Sequence, residues 1–154
     1  MAISDIFIMD RNGLPYLARC YAGKSCKTNP EHTLLTGFFA AISSFSIEFD
    51  QEHLVSVEFD SLKLLFHHFE NKIVVVGVEN TSYEEHAVQL ANEIRNKLKQ
   101  NRYRELTLRH ETLDDESEFI EWLDGKVQKN AMGNFTEKLV RSKRSLFQRL
   151  KNLF

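Results

Sequence analysis

The stretch SDIFIMDRNGLPYLARCY, residues Ser4 to Tyr21, decides how the fold begins. Two apolar runs flank Asp10-Arg11-Asn12-Gly13, and Asn12-Gly13 supplies the positive φ angles that a tight turn between antiparallel strands requires. The chain therefore opens on a β-hairpin. The loop that follows, AGKSCKTNPE, ends in Asn29-Pro30-Glu31, where Asn can cap, Pro suits the first helical position and Glu faces the positive end of the helix dipole. A helix is expected from there to about Ser46.

Three more apolar segments, HLVSVEFD, LKLLFHHFE and KIVVVGVE, are joined only through Ser61 and Glu70-Asn71. These joints are too short for parallel crossovers, so the segments form an antiparallel meander. KIVVVGVE is apolar at consecutive positions, the pattern of a strand covered on both faces. Ser82 and Glu85 have capping-box spacing, and Ala87, Leu90, Ala91, Ile94 and Leu98 recur at helical steps, which predicts a second helix over about Tyr83 to Asn101. A third is expected to start at Asp114 or Asp115, with Phe119, Ile120, Trp122 and Leu123 as its apolar side, and Gly133 marks the break before the tail. The fold class is therefore α+β over residues 1–130, a five-stranded antiparallel sheet with one helix on one face and two on the other, followed by a tail over 131–154.

The 154 residues, 42% hydrophobic and 27% charged, suit one globular domain that buries its own core. The N-terminus has neither the basic nor the long apolar region of a signal peptide, and no apolar window is long enough to span a bilayer. Cys20 and Cys26 are expected to be reduced thiols in a cytoplasmic protein. The net charge of −2 conceals a segregation: Phe135 to Phe154 holds six Lys or Arg against one acid, Glu137, and leaves the rest of the chain acidic.

Catalytic chemistry finds no motif. Neither phosphate-loop pattern, GxxxxGK[ST] or GxGxxG, is present. His67 and His68 are adjacent on a strand and must point to opposite faces, so they cannot chelate as an i, i+4 helical pair does. The acidic run Asp114, Asp115, Glu116, Glu118 and Glu121 suits a helix start and lacks the spacing of a calcium loop. No catalytic residue, metal, cofactor or nucleic-acid partner is expected.

Together the hairpin SDIFIMDRNGLPYLARCY, the helix LLTGFFAAISSF, the strand pair LKLLFHHFENKIVVVGVEN and the amphipathic helix after it resemble a longin domain, the profilin-like module of vesicle-trafficking proteins. The similarity spans about residues 3 to 130 and rests on element order, since that family has no catalytic signature. Roadblock proteins and profilins usually begin with a helix, whereas this chain begins with a hairpin. A vesicle SNARE would continue into a long heptad segment and a membrane anchor, which the 20 residues after Asn134 do not provide. The resemblance implies a non-catalytic scaffold that binds a small GTPase or another longin or roadblock subunit, or pairs with itself as a homodimer. The small chains of coat adaptors, which read cargo peptides, share the DRNGLP hairpin and are the alternative.

LLTGFFAAISSF has no charged residue on any side. At 100° per residue, Leu35, Phe38, Phe39, Ala41, Ile42 and Phe45 fill an apolar arc of about 160°, opposite small uncharged residues. A second layer must cover this helix, either the tail or the stretch after Asn101 of the same chain or another subunit, and in the latter case Leu35, Phe39, Ala40 and Ser43 are the expected protein interface. In the tail, Phe147 and Leu150 belong to an apolar face and Lys138, Arg141, Arg144, Arg149 and Lys151 to a basic one, a pattern that suits peripheral contact with an anionic membrane or a partner and equally a helix packed on the chain's own acidic part.

Overall fold

The computed structural model describes residues 3–21, 32–79 and 84–128. The tail lies outside them, and with it Lys138, Arg141, Arg144, Phe147, Arg149, Leu150 and Lys151.

The hairpin forms from β1 (Ile3–Asp10) and β2 (Pro15–Cys20). Its turn differs from the expected two-residue type. Only Gly13 takes a positive φ, +89°, and the loop closes through Gly13 N–H to Asp10 O at 3.1 Å and Asp10 N–H to Leu14 O at 3.0 Å. The Asp10 carboxylate explains the change: one oxygen accepts from the N–H of Asn12 at 2.9 Å and of Leu14 at 2.8 Å, which holds the wider loop together.

Helix α1 (His32–Asp50) runs one turn past the expected end and stops where Gln51 adopts φ +57° and donates to Ile47 O at 2.8 Å. The meander is β3 (Ser56–Glu58), β4 (Lys63–Phe69) and β5 (Lys72–Val78), with β3 shorter than its apolar segment suggested. The five strands are antiparallel in the order β2-β1-β5-β4-β3. The central pair, β1 and β5, is buried at every position, as the unbroken apolar run of β5 implied. This is the α+β architecture expected.

Side-chain alternation divides the core in two. On one face Phe7, Met9, Leu64, Phe66, Ile73 and Val75 meet α1 through Phe39. On the other, Ile6, Ile8, Val74, Val76 and Val78 meet Ala87, Leu90, Ile94 and Leu98 of α2 (Glu84–Leu98). Three helices cover this face, not two. The chain breaks at Lys99 and Gln100 and restarts as α3 (Asn101–Leu108), whose Tyr103 packs edge-on against Phe119 at 5.2 Å. α4 covers residues 117–128, starting two or three residues after the expected position because Leu113 to Glu116 form a turn. Arg102 on α3 forks onto Glu116 at 2.7 Å and Glu118 at 3.0 Å, so part of the acidic run serves as a clamp between helices.

Cys20 is disulfide-bonded, which corrects the expectation of reduced thiols. Compartment statistics argued for free thiols, but cysteines six residues apart need only a short loop to meet. Cys26, the other cysteine of the sequence, lies outside the described residues, and the cytoplasmic expectation loses this support.

Candidate interaction face on helix α1

Helix α1 is turned away from the orientation its apolar arc suggests. The hairpin turn causes this. Thr36 Oγ1 donates to Gly13 O at 2.8 Å, and the backbones approach so closely that a Cβ on Gly13 would sit 2.7 Å from the Gly37 Cα. Only small residues allow that contact, so Thr36, Ala40 and Ser43 enter the buried side beside Phe39. On a wheel of 100° per residue the buried set is centred about 110° from the middle of the large apolar residues.

The consequence falls on the expected interface residues. Phe39 is 5% exposed and lies edge-on between Phe7 at 5.3 Å and Phe66 at 5.8 Å. Ala40 and Ser43 are buried, and Leu35 is half-buried against the same cluster. Phe39, Ala40 and Ser43 thus belong to the chain's own core side and offer no surface, while Leu35 is partly turned to it.

The surface of α1 is made by other residues. Phe38 is 57% exposed, Phe45 65% and Phe49 79%, and on the wheel the three fall within about 40° of one another. Half-buried Ile42 completes the spacing 38, 42, 45, 49, a seam with the 4-3-4 steps of helix-helix packing. Phe45 and Phe49 stack at 5.7 Å with an interplanar angle of 17°. Val55 and Phe59, exposed at either end of β3, share the pleat parity of Val57, which packs on the α1 side. The signal in the sequence was the small-residue series Thr36, Ala40, Ser43, whose steps of four and three mark a close-packed side.

The rim of this face is acidic. Glu48, Asp50, Glu52, Glu58 and Asp60 are all exposed, and no Lys or Arg occurs between Lys27 and Lys63. The last turn of α1 has no basic residue to offset the negative end of its dipole. The His68 ring lies against His53 at 4.7 Å, tilted by 31°, and reaches Leu54 O at 3.0 Å, fixing the segment that follows α1. Burial, with the nearby positive groups of His53 and Arg11, holds the His68 imidazole below its usual pKa. His67, on the opposite face as expected, is lowered by burial and by Arg95.

Elsewhere charged and polar side chains tie elements together. Asp124 accepts from Arg19 and from the Tyr21 hydroxyl, each at 2.7 Å, which raises the Tyr21 pKa beyond the effect of its burial. Among the described residues no group of three or more His, Cys, Asp or Glu could hold a metal ion, and no helix is long and apolar enough to cross a membrane.

No protein-family model and no curated protein matches the chain. Solved structures that match it include the Roadblock/LC7 domain from Streptomyces avermitilis, at 18% identity and a TM-score of 0.37 over 53% of this chain and 69% of that one.

Proposed function

We propose that the chain is a non-catalytic, longin-type scaffold that works by protein-protein contact, binding a small GTPase or a trafficking subunit at a membrane surface. One observation carries the proposal: α1 buries Thr36, Ala40 and Ser43 and leaves Phe38, Phe45 and Phe49 in solvent. Exposing such side chains forgoes on the order of 2 kcal/mol each relative to full burial, a cost that a partner able to cover them returns. Aromatic anchors of this kind dominate binding when they become desolvated.

The test uses the purified full chain, with light scattering for self-association and direct binding to a panel of small GTPases in both nucleotide states. Phe38→Asp and Phe45→Asp are each expected to weaken the association by about tenfold or more while leaving the circular dichroism spectrum intact. If the variants bind as the parent does, or if the parent neither self-associates nor binds any GTPase, the proposal is wrong.

A further inference from the structure

The α1 seam has the geometry of a helix-binding stripe, and its acidic rim selects for a basic helix. The sequence of the tail has that basic, amphipathic pattern. In the tail, Leu139, Leu146, Leu150 and Leu153 follow the same alternation of three and four residues, with Lys143 in the remaining place of the series. The tail holds +5 between Phe135 and Phe154, whereas residues 32–62 hold five carboxylates and no Lys or Arg. Two apolar seams of like period and opposite charge lie in one molecule.

The chain can also reach. α4 lies across the sheet from α1, tied to β2 through Asp124 with Arg19 and Tyr21, and β2 is an edge strand. A segment leaving α4 therefore passes one sheet edge to arrive at α1, whose first half packs on the hairpin of β1 and β2. Residues 129–134 supply about 20 Å when extended, roughly the thickness of the sheet with one helix layer.

We propose that residues 135–154 dock as a basic amphipathic helix on the Phe38, Ile42, Phe45, Phe49 seam of the same chain, closing the interaction face until a partner or an anionic surface takes the tail. The apolar side of the tail covers the phenylalanines, and its Lys and Arg flank Glu48, Asp50 and Glu52 at the negative end of α1. The proposal rests on reading the α1 seam as a docking surface and adds its resting occupant.

The experiment places the photo-crosslinking amino acid p-benzoylphenylalanine at position 45 of the full chain and maps the products by mass spectrometry. Tail docking predicts cross-links from position 45 to peptides within 135–154 in the monomer fraction. Their yield should fall about tenfold in the triple variant Glu48→Lys, Asp50→Lys, Glu52→Lys. Charge reversal at these exposed positions leaves the core alone, which the circular dichroism spectrum checks. Cross-links to α1 of a second copy, tail cross-links found only in a dimer, or none to the tail at all each overturn the proposal. The double variant Leu146→Asp, Leu150→Asp separates the two readings. If the seam is a docking surface closed by the tail, this variant binds GTPase or self-associates more tightly than the parent. If the parent chain gives no tail cross-links while Phe45→Asp still impairs association, the seam stands and the tail docking fails. If the cross-links persist and Phe45→Asp leaves association unchanged, the docking stands and the scaffold reading fails.

Discussion

Single residues set the orientation of α1. Gly13 combines φ +89° with a contact in which any side chain would meet the Gly37 backbone, so Gly13→Ala combines conformational strain with displacement of the helix. Gly37 is different: a Cβ there would find nothing within 4 Å. Gly13→Ala should lower the urea midpoint, and Gly37→Ala should raise stability by about 0.5–1 kcal/mol through helix propensity. If both lower it equally, the close approach is not what fixes α1. His67 and His68 govern the response to acid. Both have depressed pKa values, so the folded state binds fewer protons than the unfolded state. Their stabilisation is complete above the ordinary histidine value of about 6.5 and is lost as pH falls from there through the folded values. Urea midpoints should decline between about pH 7 and pH 5, and the decline should flatten in His67→Gln, His68→Gln. An unchanged slope would remove these histidines as its source.

At the scale of elements, α1 has two sides with opposite energetic roles. Phe39→Ala opens a cavity between Phe7 and Phe66 and should cost about 3–5 kcal/mol, a large part of the 5–15 kcal/mol that stabilises a domain. In a chain ending at Asn134, which has no tail to dock, Phe49→Ala, at a residue 79% exposed, should stay within about 0.5 kcal/mol. Chemical denaturation of the pair in that chain reads the difference, and comparable losses would show that the rest of the chain itself covers the seam. The element order of this fold was legible because each segment carried its own period: alternation or a short apolar run for strands, i, i+3, i+4 steps for α2. α3 was not, since NRYRELTL turns only Tyr103, Leu106 and Thr107 inward, one of them polar, and Tyr103 packs against the distant Phe119.

At the scale of the molecule, charge is divided between an acidic described domain and a basic tail. Sedimentation with phosphatidylserine vesicles should pellet the full chain more than one ending at Asn134, and the excess should vanish at high salt because exposed charges are screened. Equal pelleting would remove the membrane role of Lys138, Arg141, Arg144, Arg149 and Lys151.

The sequence by itself determined the class of fold, because strand and helix periods and turn residues are local signals, and short joints leave antiparallel pairing as the way to connect the meander. It also raised the expectation of a second layer over α1, since Leu34 to Phe45 carries no charge on any side. Only the tertiary structure decided which side that layer meets. Helical periodicity records where large apolar residues lie, whereas burial depends on how closely two backbones approach. The contact of Gly13 with Gly37, 24 residues away, brought the small residues inward and left three phenylalanines outside.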